Sequence, residues 1–134
     1  MSAERRLTYV DSSAIVKPVI AEPESKALRR YLSRRQPLVS SALARTEVAR
    51  ALIASGPEAV ARGQDVLRRI QLLRITDRVL SDAGRMEPAE LRSLDAIHLA
   101  SAAQLGPSVK QIVTYDERMA DAAKTSGWSV ISPS

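Results

Sequence analysis

No cysteine occurs among the 134 residues, which removes disulfides, thiolate metal sites and thiol nucleophiles together. A single histidine, His98, excludes a multi-histidine zinc site and leaves little room for histidine-based acid–base chemistry. Phenylalanine is absent and aromatic residues amount to 3%, so the core has to be aliphatic and a base-stacking platform is not expected. No apolar run approaches the roughly 20 residues that a membrane span needs. Residues 1–6, MSAERR, lead into a short strand-like run rather than a long apolar stretch, so no signal sequence is expected and the cytoplasm is the expected compartment. With sulfur and imidazole so scarce, a metal site here has to be built from oxygen, which points to a hard cation such as Mg²⁺ or Mn²⁺.

What is present is a globular composition, 45% hydrophobic and 26% charged, with the apolar share mostly Ala, Leu, Val and Ile. The length suits one domain over 1–134, large enough to bury a core without staples. The formal net charge of +5 favours polyanionic partners, nucleic acid or an acidic protein segment, although solubility alone also accounts for it.

Along the chain, strand and helix patterns alternate. Leu7–Val10 is β-rich and runs into Asp11-Ser12-Ser13, residues suited to cap a helix that starts at Ala14. Helical patterns follow over 24–35, 42–54 and 58–73, separated by Pro37 with the short strand Leu38–Ser40, and by Ser55-Gly56-Pro57. Ser41 is a cap for the second of these helices. Residues 74–76 suit a short strand, Asp77 caps a helix to about Met86, and Ser93 caps one over 94–105. Gln111–Thr114 is a strand, Asp116 opens a helix to about Ser126, and Trp128–Ile131 is a last strand. This alternation predicts a three-layer α/β/α sandwich around a mostly parallel sheet, with any site at the carboxyl ends of the strands.

Four acids stand out on that map. Asp11 and Asp116 follow strands. Asp95 lies in the first turn of a helix beside Leu94, Ile97 and Leu99, and Glu47 sits inside an otherwise apolar helix between Leu43, Val48, Leu52 and Ile53. Acids beside core-facing stripes are costly unless something pairs with them. Each also has a purely structural reading: helix caps for Asp11 and Asp116, a dipole-complementing residue for Asp95, a partner for Arg50 for Glu47. His98, three residues after Asp95, reads as a hydrogen-bonded histidine packed at a helix interface and stays outside the expected site. Arginines at 29–30, 34–35, 62, 68–69 and 74 suit phosphate contacts or simply solvated helix faces.

Four segments in order carry a resemblance. Val10-Asp11-Ser12-Ser13-Ala14-Ile15-Val16-Lys17, Thr46-Glu47-Val48-Ala49-Arg50-Ala51-Leu52, Leu94-Asp95-Ala96-Ile97-His98-Leu99-Ala100 and Thr114-Tyr115-Asp116-Glu117-Arg118-Met119 resemble the four motifs of PIN domains. Spacing and length are similar to the VapC toxins of toxin–antitoxin pairs, over nearly the whole chain. The resemblance implies a single PIN domain and a Mg²⁺-dependent endoribonuclease, Mn²⁺ being an alternative ion, that cuts structured tRNA or rRNA and restrains translation. It implies Asp11, Glu47, Asp95 and Asp116 as the acidic quartet. Within it Asp11, Asp95 and Asp116 would hold the metal, Glu47 would orient or deprotonate the attacking water, and Ser12 and Thr114 would support the acids. It further implies a VapB-like antitoxin partner and a homodimer or toxin–antitoxin hetero-oligomer, with no membrane. Apolar positions on the 24–35 and 42–54 helices could dock an antitoxin helix or a second subunit, or simply pack the monomer's own core.

Two other phosphoryl-handling folds fit poorly. A haloacid-dehalogenase phosphatase needs a second Asp where Ser13 stands. A receiver domain needs paired acids before its first helix and a late-strand Lys, whereas Thr8-Tyr9 precede Asp11 and Lys110 lies at the start of its strand. The remaining alternative is a non-catalytic PIN-fold module that binds RNA or protein.

Overall fold

The computed structural model describes residues 6–35 and 37–134, so the reading of the first five residues as lacking a signal sequence lies outside them. Five strands, β1 (Leu7–Val10), β2 (Leu38–Ser41), β3 (Gln71–Leu73), β4 (Val109–Val113) and β5 (Ser129–Ile131), form one sheet in the order β3-β2-β1-β4-β5. Every pairing is parallel. The order reverses at β1, from which the chain runs outward first to β2 and β3 and later to β4 and β5. Such a switch point opens a crevice at the carboxyl ends of the two central strands.

Among the described residues seven α-helices cover the two faces: α1 (Ser12–Val16), α2 (Ser25–Ser33), α3 (Ala44–Leu52), α4 (Pro57–Leu67), α5 (Asp77–Gly84), α6 (Ser93–Gln104) and α7 (Glu117–Thr125). The period-two alternation of the strands decides which side chains meet which layer. Val10, Leu38 and Val113 pack with Ile15, Leu28, Val48, Leu52 and Leu67 of α1 to α4. Leu7, Tyr9, Val39 and Ile112 point the other way, onto Leu99 of α6 and Met119 of α7. β1, β2 and most of β4 are buried on both faces, which is why they read as short apolar runs. The sandwich is thus the three-layer α/β/α arrangement anticipated from the alternation of elements.

The structure corrects several local expectations. The helix read over 58–73 ends at Leu67, and the third strand is Gln71–Leu73 rather than 74–76. The apolar spacing of Val66, Leu67, Ile70 and Leu73 suits a helix, but Ser40 and Ser41 of β2 claim Leu72 and Leu73 as sheet partners. The face of α4 that packs inward is Ala59, Gly63 and Leu67, with Val60 only partly buried. A Cβ on Gly63 would lie 2.5 Å from Leu52 Cδ1, so this glycine lets α4 sit directly against α3. Thr76, not Asp77, caps α5 through Val79 N. Ser41 belongs to β2, although its Oγ accepts from Leu43 N. Ser93 lies inside α6, whose cap position is Arg92 without a side-chain bond.

Candidate active site

All four acids come to one place. Asp11, Glu47, Asp95 and Asp116 line a cavity of about 280 Å³ together with Ser12, Ser13, Arg92 and His98. It lies where the topology predicts a site, at the carboxyl ends of β1 and β4. Asp11 follows β1 directly, its N–H still bonded to Val113 O of the neighbouring strand, and it caps α1. Asp116 caps α7 just beyond β4. Glu47 and Asp95 project from the first turns of α3 and α6.

Asp11 is the deepest, 3% exposed. Its Oδ1 accepts from Ser13 Oγ at 2.6 Å and from Ala14 N at 3.0 Å, and its Oδ2 accepts from Thr114 Oγ1. Burial pushes its carboxyl above the ordinary value against the pull of the Ser13 and Thr114 bonds. Thr114 is fully buried, and its Oγ1 also accepts from Asp116 N at 3.0 Å, tying the first acid to the last. Ser13 Oγ accepts from Tyr115 N at 2.9 Å, a second link between the same two loops.

Glu47 Oε1 accepts from Ser12 Oγ at 2.6 Å and is 2.7 Å from His98 Nε2. Burial raises its carboxyl, but the bonds from His98 and Ser12 outweigh that and leave it below the ordinary value. Asp95 differs. Its Oδ2 is buried and has no hydrogen-bond partner. Burial first, and then the charges of Asp116 and Asp11, push its carboxyl up to about 6. A buried carboxylate oxygen left unpaired in a ring of like charges is the mark of a position that wants a cation.

Among the described residues no three carboxylate or imidazole groups close tightly enough to cage an ion by themselves. Four carboxylates around one cavity, one of them with an orphaned oxygen, instead fit a hard cation such as Mg²⁺, which takes one or two carboxylates and keeps much of its water.

Ser12 and Thr114 therefore sit where the sequence put them, each bonded to an acid. His98, read from the sequence as a hydrogen-bonded histidine at a helix interface and left outside the site, is such a histidine and also borders the acids. It is 2% exposed, lines the cavity and bonds Glu47. The sequence signal was its position one helical turn beyond Asp95, which places both on one face of α6. Arg92 was missed, and it is the only lysine or arginine among the lining residues. The arginine pairs weighed as phosphate contacts lie elsewhere. Arg34 and Arg35, with Arg6 and Lys110, surround a cleft of about 650 Å³ at the amino ends of β1 and β4, across the sheet from the acids. Arg68 pairs with Asp65 on the exposed surface of α4.

The chain's relatives have the same build. The PIN domain family model matches residues 8–125. Ribonuclease VapC46 of Mycobacterium tuberculosis is 58% identical over 126 residues, which cover 94% of this chain and 97% of the relative. Ribonuclease VapC47 of the same species is 36% identical over 132 residues, covering 95% and 97%. Among solved structures, M. tuberculosis VapC20, described as a sarcin–ricin-loop-cleaving toxin, superposes with a TM-score of 0.77 at 16% identity over 94% of this chain and 99% of that one. A toxin–antitoxin complex from Klebsiella pneumoniae gives a TM-score of 0.70 at 17% identity, covering 95% and 98%.

Proposed function

The chain belongs to the PIN-domain family, among the VapC ribonucleases of toxin–antitoxin systems, and we propose that it is an endonuclease that cuts structured RNA, tRNA or rRNA, with Mg²⁺ or Mn²⁺. PIN-domain ribonucleases generally depend on a divalent metal. The observation that carries the reading is the gathering of Asp11, Glu47, Asp95 and Asp116 around one cavity that contains an unpaired buried carboxylate oxygen.

Phosphodiester hydrolysis needs an activated water and relief of the charge that builds on the phosphate, and a bound divalent cation supplies both. Asp95, with its orphaned Oδ2, and Asp11 are the principal ligands in this reading, and Asp116 joins directly or through water. Glu47 faces the water that attacks. Its carboxylate is held ionised, and since its bonds to Ser12 and His98 both fall on Oε1, Oε2 is left to orient the water and accept a proton from it. Thr114 fixes Asp11 and the backbone at Asp116, and Ser12 fixes Glu47. Arg92, on the rim, suits a phosphate oxygen of the substrate.

VapC toxins pair with antitoxins. The same arrangement here would employ a VapB-like partner carrying a basic side chain into the carboxylate cavity, with the toxin a homodimer or part of a hetero-oligomer and translation its target. No helix among the described residues is long and apolar enough to cross a membrane.

The test is cleavage of a pool of tRNA and rRNA fragments in Mg²⁺, Mn²⁺ or EDTA, with Asp11→Asn alongside. Metal-dependent cutting that disappears in the folded variant is the expected result. Cutting that survives in Asp11→Asn, or a retardation complex with no cutting under any metal, would overturn the reading, the second outcome in favour of a non-catalytic binding module.

A further inference from the structure

His98 takes part in a hydrogen-bonded line that spans the sandwich. Tyr9 lies on the central strand β1, is fully buried, and its hydroxyl is 2.7 Å from His98 Nδ1. His98 Nε2 is in turn 2.7 Å from Glu47 Oε1, the atom that also accepts from Ser12. Tyr9 and α6 belong to one helical layer's core and α3 to the other, so the imidazole bridges the two layers over the carboxyl edge of the sheet. We propose that His98, oriented by Tyr9, is a positioning residue that fixes the Glu47 carboxylate for its work on the attacking water. The proposal rests on the reading of Glu47 given above.

The polarity of the line follows from the groups themselves. An ionised carboxylate can only accept, so Nε2 carries the hydrogen and donates to Oε1. Burial holds the Tyr9 phenol well above its ordinary value, so its hydroxyl keeps its proton and is available to donate to Nδ1. The edge-on packing of the two rings, 5.8 Å between centroids and 81° between planes, fixes the imidazole plane as well as its tautomer. Two donors on Oε1 immobilise one side of the carboxylate, and Oε2, which takes no bond among the described residues, is aimed by default. The arrangement parallels the way an acid holds a catalytic imidazole, with the roles exchanged: here the imidazole orients the acid.

The test compares wild type, Glu47→Gln, His98→Leu, His98→Gln and the double variant Glu47→Gln/His98→Leu in single-turnover cleavage. His98→Leu keeps the volume and removes the donor, whereas the glutamine amide can return an N–H near the former Nε2 position. His98→Leu should lower the rate about 10- to 100-fold with KM changed less than about 3-fold, and His98→Gln should recover most of it. In the Glu47→Gln background His98→Leu should add less than about a further 3-fold, because the two act as a unit. Nitrogen-15 NMR of the metal-free protein supplies a readout apart from activity: a ring with its hydrogen on Nε2, shifted in Glu47→Gln and in Tyr9→Phe. Full activity of His98→Leu beside an inactive Glu47→Gln overturns the positioning role and leaves the nuclease reading standing, as does an additive loss in the double variant. Full activity of Glu47→Gln overturns the reading beneath it. Should His98→Leu fail to fold, His98→Gln and the ring tautomer decide: a hydrogen on Nδ1 instead of Nε2 refutes the proposal.

Discussion

Asp95→Asn should make the metal-free protein more stable while abolishing its activity. Asp95 lies in a partly buried first turn with Oδ2 unpaired, and its carboxyl is raised from 3.8 to about 6 by burial and by the charges of Asp116 and Asp11. That difference corresponds to about 3 kcal/mol at about 1.4 kcal/mol per pH unit, and solvent reaching the cavity reduces the expectation to about 1–3 kcal/mol. The sign follows from linkage. The folded carboxyl titrates above the unfolded one, so the cost is absent below pH 3.8, grows as pH rises to about 6, and stays constant above. Asparagine has the same shape and no charge, so the variant's advantage should be negligible near pH 4 and complete near pH 8. For a domain of this size the gain amounts to a melting temperature about 3–10 °C higher in EDTA at pH 8. Adding Mg²⁺ should narrow the gap, because the ion stabilises the wild type by binding to the folded state and finds a weaker site in the variant. Thermal denaturation at several pH values, with and without Mg²⁺, measures all of this. A variant that melts at or below the wild type in EDTA at every pH would refute the claim that Asp95 is held charged at a cost in the empty cavity.

Further consequences can be checked separately. Thr114→Val removes the hydroxyl shared by Asp11 Oδ2 and Asp116 N, and should cost about 1–3 kcal/mol in urea denaturation as well as most of the cleavage rate, while Thr114→Ser should behave nearly as wild type. Gly63→Leu forces a side chain into the 2.5 Å approach of α4 to Leu52 and should cost about 2 kcal/mol or more, seen as a lower urea midpoint; an unchanged midpoint would mean the two helices separate freely. Arg92→Ala should raise KM for RNA by about tenfold with kcat little changed and reduce the salt dependence of binding by about one phosphate contact; an unchanged KM would remove Arg92 from the substrate path.

The sequence was most legible where two local rules coincide. Asp11 and Asp116 each follow a short buried strand and start a helix, so strand pattern and cap chemistry locate both loops, and parallel pairing of β1 with β4 then sets them side by side. Glu47 was legible because an acid interrupts an apolar helix. β3 was misplaced because three residues with half-exposed side chains carry almost no period-two signal, and only their pairing with β2 makes them a strand. Arg92 was unreadable for a different reason: nothing local marks an arginine before a helix as part of a cavity built from four elements. His98 was on the page, but its burial argues for a core residue, and only the position of Glu47, 51 residues away, turns that core residue into part of the site.

The competition between cap and ligand that the sequence poses for these acids does not exist in the structure. Asp116 spends Oδ1 on Met119 N, at 3.0 Å, and its Oδ2 takes no bond among the described residues. Glu47 does the same with a serine and a histidine in place of a backbone amide, anchoring Oε1 and leaving Oε2 open. Glu47 and Asp116 thus each have one oxygen that holds the side chain in place and one that takes no bond among the described residues, whereas Asp11 is anchored through both of its oxygens. A helix start is an economical place for such a group, since its unpaired N–H supplies the anchor and its dipole favours the charge. Asp95 is the exception, with a helix start but no anchoring hydrogen bond among the described residues, an orphaned oxygen and a raised carboxyl. The three restrained acids therefore define the shape of the cavity, and Asp95 is the member whose charge is least compensated by the protein, so it stands to gain most from a cation.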